Sequence, residues 1–144
     1  MALPLHPLLE AQMHEVKLDA CTVTFLEEDL VHAHFSAGRV ITEQEVQEMF
    51  DAIEARRGTK KVLLMVTVGE GTSMSNEARA FASSEVSNKY IAADAIVVRD
   101  FVHQLAANVF VRHHKPGRPI KMFPETESAL QWLKQQRPHI DRTN

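Results

Sequence analysis

Apolar and polar residues alternate from residue 21 to 25 and again from 31 to 35, on either side of an acidic turn. A period of two is typical of strands with one buried face, and the short turn predicts an antiparallel hairpin. Residues 15–18 add a further strand. Cys21, the single cysteine, falls on the apolar side, and no flanking cation would lower its pKa. We therefore interpret Cys21 as a small core residue.

The period becomes helical at Thr42. Thr42 and Glu45 have the spacing of a capping box, apolar residues then recur three and four positions apart, and Gly58 suits the left-handed C-terminal position. Residues 61–68 contain the run "VLLMV", which is apolar on both sides of the alternation. This pattern predicts an interior strand of a parallel sheet, covered on both faces.

The second half of the chain alternates between helices and strands. The predicted elements are a helix at 76–88, a buried strand at 92–98, an amphipathic helix at 101–113, a strand at 120–123 and a helix at 125–135. Strands joined through helices cross over and lie parallel. The predicted fold class is α/β (α+β), a mixed β-sheet with N-terminal antiparallel strands followed by βαβα units.

The bulk composition fits one globular domain. The chain has 144 residues, 44% of them hydrophobic and 24% charged, with a net charge of −3. We expect an N-terminal segment at 1–14, a single domain at 15–136 and a frayed polar tail at 137–144. The slightly acidic balance predicts no nucleic-acid partner.

The N-terminal segment is apolar but short, broken by Pro4 and Pro7, and it lacks the cations of a signal peptide. We expect no membrane insertion and a cytoplasmic location. The leucines of this segment and the edge strands of the sheet would be exposed in a monomer. We therefore expect a homo-oligomer, most simply a dimer, in which a second copy buries them.

The stretch after the interior strand, here called the rim loop (residues 69–76), joins glycines and hydroxyl side chains to a helix start. Its candidate binding residues are Gly69, Glu70, Gly71, Thr72, Ser73, Ser75 and Asn76. Free N–H groups at a helix start favour a phosphate, which makes Ser73 and Ser75 candidate phosphoacceptors. The alternative is a β-to-α turn in which Ser75 or Asn76 only caps the helix. The loop lacks the lysine of a P-loop, the third glycine of a dinucleotide fingerprint and the G-x-S-x-G of a nucleophile elbow.

Arg99 and His103 follow the next buried strand. Ligands of open α/β sheets bind beyond the carboxyl ends of the strands, so these two side chains are predicted to meet an anion beside the rim loop. In the alternative, Asp100 caps a helix and Arg99 is solvated.

His32 and His34 share one strand face, and His113 and His114 end a predicted helix. No carboxylate or cysteine stands at ligand spacing from them, so we predict no metal and no cofactor, and interpret His32 and His34 as a solvated face. The basic group of Arg112, Lys115 and Arg118 is also interpreted as solvated, with a weak contact to an acidic partner as the alternative. Without a recognisable nucleophile–base pair or phosphate-binding lysine, the sequence predicts no enzyme.

Three segments carry a resemblance to a known group: "ITEQEVQEMFDAI", "SMSNEARAFASSEVSNKYIAADAIVV" and "KMFPETESALQWLK". From about residue 15 to 135 the chain resembles the STAS-like, SpoIIAA-like fold, in a branch of small uncharacterised bacterial proteins. In STAS domains that antagonise anti-sigma factors, a partner kinase phosphorylates a serine at a helix start. The counterpart here, residues 73–78, lacks the aspartate and glycine of that motif.

The resemblance and the residues together predict a non-enzymatic module that binds a protein partner or a small ligand. Two alternatives stay open. One is a phosphorylation-switched regulator of the anti-sigma-factor-antagonist type. The other is a small-molecule or lipid carrier with an apolar cavity under the predicted helix at 101–113.

Overall fold

The computed structural model describes residues 14–98, 117–138 and 140. Its strands are β1 Glu15–Lys17, β2 Cys21–Glu27, β3 Leu30–Phe35, β4 Val40–Ile41, β5 Val62–Val68, β6 Ser73–Met74, β7 Ile91–Val97 and β8 Ile120–Phe123. Its helices are α1 Glu43–Arg57, α2 Asn76–Ala82, a 3₁₀ helix at Glu85–Lys89 and α3 Thr126–Gln135. The helix predicted at 101–113 lies outside the described residues.

Six of these strands form one sheet in the order β1-β2-β3-β5-β7-β8. The first three pair antiparallel, as the alternating pattern predicts, and β3, β5, β7 and β8 pair parallel. β5 lies between β3 and β7, so the prediction of an interior strand is confirmed. The mixed sheet with its helices confirms the predicted α/β class.

The two faces of the sheet carry separate apolar cores. On the first face, α1 buries Val46, Met49, Phe50 and Ile53, and Phe50 stacks on Tyr90 with ring centroids 4.9 Å apart. On the second face, α3 packs Ala129 and Leu133 against residues of β5, β7 and β8. Burial on both faces is the reason that β5 carries an unbroken apolar run from Val62 to Val66.

Cys21 lies in the first core with 2% of its surface exposed. Burial raises the pKa of its thiol to about 12, so the thiol stays protonated at neutral pH. The interpretation of Cys21 as a core residue is confirmed.

The ends of α1 follow the sequence signals. Thr42 Oγ1 accepts a hydrogen bond from the Glu45 N–H, and the Thr42 N–H donates to Glu45 Oε1 at 3.0 Å, which completes the predicted capping box. Gly58 ends the helix with φ 63°, a conformation that glycine adopts without steric cost.

The helix predicted at 76–88 is shorter than expected. α2 ends at Ala82, and a 3₁₀ helix follows. Ser83 Oγ donates to the Arg79 carbonyl at 3.0 Å, and Ser84 Oγ donates to the Phe81 carbonyl at 2.7 Å. Serine hydroxyls that bond to nearby backbone compete with helical continuation, which accounts for the break.

Arg118 is buried, so its interpretation as a solvated cation is wrong. Its side chain is 4% exposed, and Nε and Nη2 donate to the two carboxylate oxygens of Asp94 at 3.0 and 3.1 Å. Nη1 donates to Ser87 Oγ and Asn88 Oδ1, and Nη2 also donates to the Ala82 carbonyl. These bonds use all five guanidinium donors. Burial raises the pKa of Asp94, and the charge of Arg118 acts in the opposite direction.

The tail predicted to fray beyond residue 136 is anchored in its described part. Arg137 donates to both carboxylate oxygens of Asp29 at 2.9 Å and to Glu27 Oε1 at 2.6 Å. The hydrogen bonds from Arg137 lower the pKa of Asp29, and Ile140 is buried in the second core. The expectation of a frayed tail is therefore wrong for these two residues.

Candidate functional site

The rim loop continues from the carboxyl end of β5 and is held by backbone hydrogen bonds. The Gly69 N–H donates to the Phe35 carbonyl at 2.8 Å, and the Gly38 N–H donates to the Glu70 carbonyl at 2.9 Å. Within the loop, β6 pairs in parallel with β4 to form a separate two-stranded sheet. Neither of these strands was predicted, because two residues carry too short a pattern.

Gly69 and Gly71 are required for different structural reasons. A Cβ on Gly69 would lie 2.5 Å from the Ala37 backbone nitrogen, so neighbouring backbone fills the space beside it. Gly71 has φ 79°, which favours glycine, and both Gly71 and Glu70 are exposed. The missing side chain at Gly69 therefore makes room for the backbone of Ala37 and not for a ligand.

Three hydroxyl side chains of the loop have distinct environments. Thr72 is buried, donates its hydroxyl to the Ser36 carbonyl and accepts from the Arg39 N–H at 3.3 Å. Ser75 Oγ accepts from the Ala78 N–H at 3.0 Å, so Ser75 is the residue that caps the helix. Ser73 is exposed, and Asn76 is the exposed first residue of α2.

Two hollows adjoin the rim loop, and Val68, Val97 and Val98 contribute to the lining of both. The histidine cleft has a volume of about 540 Å³ and is lined by His32, His34, Thr67, Val68, Gly69, Glu70, Gly71, Val97, Val98 and Thr126. The apolar cavity has a volume of about 150 Å³ and includes Thr72 and Ser73 in its lining. Of the predicted site residues, 69–71 line the histidine cleft, Thr72 and Ser73 line the apolar cavity, and Ser75 and Asn76 line neither. Arg99 and His103 lie outside the described residues.

The histidine cleft contains a cluster that the sequence did not reveal. His32 Nε2 and His34 Nδ1 each lie 2.7 Å from Thr67 Oγ1, and the two rings are 6.2 Å apart. A threonine hydroxyl donates one hydrogen bond and accepts others, so it joins the two imidazoles in one chain. The only signal was the register of β3 on β5, which sets His34 opposite Thr67 and cannot be read from the sequence.

The two histidines differ in burial. His34 is exposed, as the interpretation of a solvated face requires, but His32 is half-buried, and for it that interpretation is wrong. Burial lowers the pKa of His32, and the neighbouring His34 lowers it further. At neutral pH His32 is uncharged and its ring acts as a hydrogen-bonding group.

The lowered pKa of His32 predicts a pH dependence of stability. The unfolded chain takes up a proton at His32 as the pH falls below about 6.5, before the folded protein does. Neutral His32 makes its full contribution to the free energy of unfolding above this pH. The contribution decreases as the pH falls toward the pKa of His32 in the folded protein. We expect the free energy of unfolding, measured in urea, to fall more between pH 7.5 and pH 5.5 for the wild type than for His32→Gln. Equal differences would contradict the lowered pKa.

The apolar cavity lies on the first face of the sheet, between α1 and α2 and the strands β5 and β7. Its walls include Val66, Met74, Ile96 and Ile120. Asp94 also contributes to the lining, but its charge is paired with Arg118. Arg79 of α2 reaches the same cavity.

The described residues hold no group of three or more His, Cys, Asp and Glu side chains that could bind a metal ion. The histidine pair supplies two nitrogens and has no carboxylate or thiolate partner in the described ranges. No helix within those ranges has the length and apolar character needed to cross a membrane.

Comparisons with known proteins identify the fold and the family. A solved structure of an uncharacterised DUF3478 protein with a SpoIIAA-like fold, from Shewanella loihica PV-4, matches with a TM-score of 0.50 and 17% identity. The match covers 79% of this chain and 92% of that one, which confirms the SpoIIAA-like fold expected from the sequence. None of the curated proteins matches the chain. Residues 24–137 match DUF7793, a domain of unknown function, and the chain belongs to that family.

Proposed function

We propose that this protein is a non-enzymatic, cytoplasmic binding module that takes a small molecule into the histidine cleft. The observation that carries the proposal is the convergence of the His32–Thr67–His34 cluster with the rim loop and the start of α3. The cleft lies at the carboxyl ends of β3, β5 and β7, where open α/β sheets bind ligands. Its volume falls in the range of small-molecule sites.

The lining indicates a ligand with both polar and apolar parts. Val68, Val97 and Val98 offer apolar surface on one side. His34 uses Nδ1 for Thr67, which leaves Nε2 for a hydrogen bond to a ligand. Among the described residues no side chain caps the start of α3 at Thr126, so first-turn amides offer hydrogen-bond donors at this edge, beside the carboxylates of Glu125 and Glu127.

The environment of Thr67 supports binding rather than catalysis. The 2.7 Å separation of Thr67 Oγ1 and His34 Nδ1 suits a nucleophile and its base. A catalytic histidine of that kind is oriented by a third group, commonly a carboxylate, on its other nitrogen. In residues 14–98 and 117–138, neither His32 nor His34 is hydrogen-bonded to a carboxylate. The pair therefore lacks the third member of a triad in this part of the chain.

Screening against a library of small polar molecules tests the proposal. We expect compounds that raise the melting temperature of the wild type to bind Thr67→Val about tenfold more weakly, because this variant removes the hydroxyl that joins both histidines. The matched control Thr59→Val, on the surface beyond α1, is expected to bind as the wild type does. Equal affinity of all three proteins for every hit would overturn the proposal.

A phosphorylation-switched regulator is the second candidate, and the exposure of Ser73 favours it. Ser75 is less suited as an acceptor because its Oγ already caps α2. Mass spectrometry of the protein from its native cells tests this candidate. It predicts a phosphate on Ser73, and unmodified Ser73 under all growth conditions would contradict it.

A further inference from the structure

The two hydrogen bonds of the His32–Thr67–His34 cluster share one hydroxyl group. Thr67 Oγ1 lies 2.7 Å from His32 Nε2 and 2.7 Å from His34 Nδ1, and these are its hydrogen-bond partners among the described residues. A hydroxyl group has a single proton to donate, so Thr67 donates to one ring and accepts from the other. The tautomers of the two histidines are therefore linked through Thr67.

Two donor orders satisfy both hydrogen bonds. In the first order, His32 Nε2–H donates to Thr67, and the Thr67 hydroxyl donates to His34 Nδ1. In the second order, His34 Nδ1–H donates to Thr67, and the hydroxyl donates to His32 Nε2. The first order places a hydrogen on Nε2 of both rings, which is the more stable tautomer of a neutral histidine side chain. We therefore expect the first order when the cluster is neutral.

An added proton reverses this order. His34 is exposed and His32 is half-buried, so a positive charge is better hydrated on the ring of His34. In the first order Nε2 of His34 already carries a hydrogen, so the proton is added at Nδ1, which becomes a donor. Thr67 then accepts from His34 and turns its hydroxyl toward His32. The hydrogen of His32 moves from Nε2 to Nδ1 by exchange with solvent, and the net change is one proton taken up.

The charged side chains on the described elements around the cluster stand outside this chain of hydrogen bonds. They are Glu70 in the rim loop, Glu125 and Glu127 at the start of α3, and Glu15 and Lys17 on β1. The residues opposite the histidines on β2, Thr22 and Thr24, are uncharged. The charged groups influence the pH at which the proton is taken up. They do not set the donor order, since none of them is hydrogen-bonded to the cluster in the described ranges.

We propose that the His32–Thr67–His34 cluster is a one-proton switch, in which protonation of His34 changes the hydrogen bonds that the histidine cleft offers to a ligand. Without the added proton, the two nitrogens that do not face Thr67 are a donor on His34 and an acceptor on His32. With the proton, both nitrogens are donors. As a regulation of the cleft, the switch rests on the proposed function, but its test needs no ligand.

Nitrogen NMR of the histidine rings in the free protein tests the switch, because imidazole nitrogens with and without a hydrogen have well-separated chemical shifts. The spectra are recorded from about pH 8 down to about pH 5, the range in which histidine side chains titrate. We expect the hydrogen of His32 to move from Nε2 to Nδ1 with the same midpoint at which His34 becomes doubly protonated. His32 itself is expected to stay neutral through this step.

Variants assign the coupling to the shared hydroxyl. Thr67→Val is expected to abolish the tautomer change of His32 while His34 still takes up its proton. Thr67→Ser keeps the hydroxyl and is expected to retain the change. His34→Gln has no proton to take up at position 34 and is expected to leave His32 in one tautomer across the range. Thr59→Val, the control on the surface beyond α1, is expected to titrate as the wild type does.

The proposal is overturned if His32 keeps its tautomer while His34 is protonated in the wild type. It is also overturned if Thr67→Val shows the same change as the wild type, or if both histidines become positively charged at one midpoint. The result is separate from ligand binding. A coupled tautomer change in a protein whose cleft binds no small molecule would remove the proposed function and leave the switch in place.

Discussion

Replacing Arg118 with methionine is expected to lower the free energy of unfolding by about 3–5 kcal/mol, the usual effect of breaking a buried ion pair from one side. The variant leaves the Asp94 carboxylate buried without its partner and removes donors from Ser87, Asn88 and the Ala82 carbonyl. Since whole domains are stable by only about 5–15 kcal/mol, the loss is a large fraction of the total. Urea unfolding followed by circular dichroism measures it.

The double variant Asp94→Leu with Arg118→Met distinguishes the cost of an unpaired buried charge from the loss of the other Arg118 hydrogen bonds. It removes both charges, and we expect it to be more stable than Arg118→Met alone, because no buried charge is left unpaired. The control Lys60→Met should unfold as the wild type does. A loss below about 1 kcal/mol for Arg118→Met would show that Arg118 does not anchor this part of the fold.

Replacing Gly69 with alanine is expected to lower the free energy of unfolding by about 1–3 kcal/mol, as overpacking commonly does. The new Cβ would lie 2.5 Å from the Ala37 nitrogen and 2.7 Å from its Cα, so backbone must move. Because the obstacle is backbone, adding Ala37→Gly should restore little of the lost stability. Gly69 also lines the histidine cleft, so the amide resonances of residues 69–72 should change.

Gly58→Ala is the matched control for Gly69→Ala. Gly58 has φ 63°, and a Cβ added there would meet no other segment within 4 Å, so its replacement costs backbone strain alone. The control should destabilise the protein without altering the resonances of the rim loop. Wild-type stability and an unchanged loop spectrum for Gly69→Ala would contradict the close contact with Ala37.

The parts of the fold that depend on local patterns could be predicted from the sequence. The period-two alternation specified the β2–β3 hairpin, and the capping box placed the start of α1. The doubly apolar run identified β5 as interior. In each of these elements the residues that decide the structure lie within a few positions of one another.

The parts that depend on long-range pairing could not be predicted. Arg118 is 24 positions from Asp94, and Thr67 is 33 positions from His34. A buried salt bridge and a solvated basic cluster look alike in sequence until the sheet order brings the partners together. The division of the rim loop between two hollows has the same origin, since it depends on which side of the sheet each loop residue faces.

Ligand binding in the histidine cleft is tested most sharply by the map of amide chemical shifts when a screening hit is titrated into the wild-type protein. If the cleft is the binding site, the largest changes will fall on His34, Thr67, residues 69–71 and Thr126. Changes confined to the outer strands β1 and β2, with residues 67–71 unaffected, would show that small molecules bind elsewhere and that the proposed function is wrong.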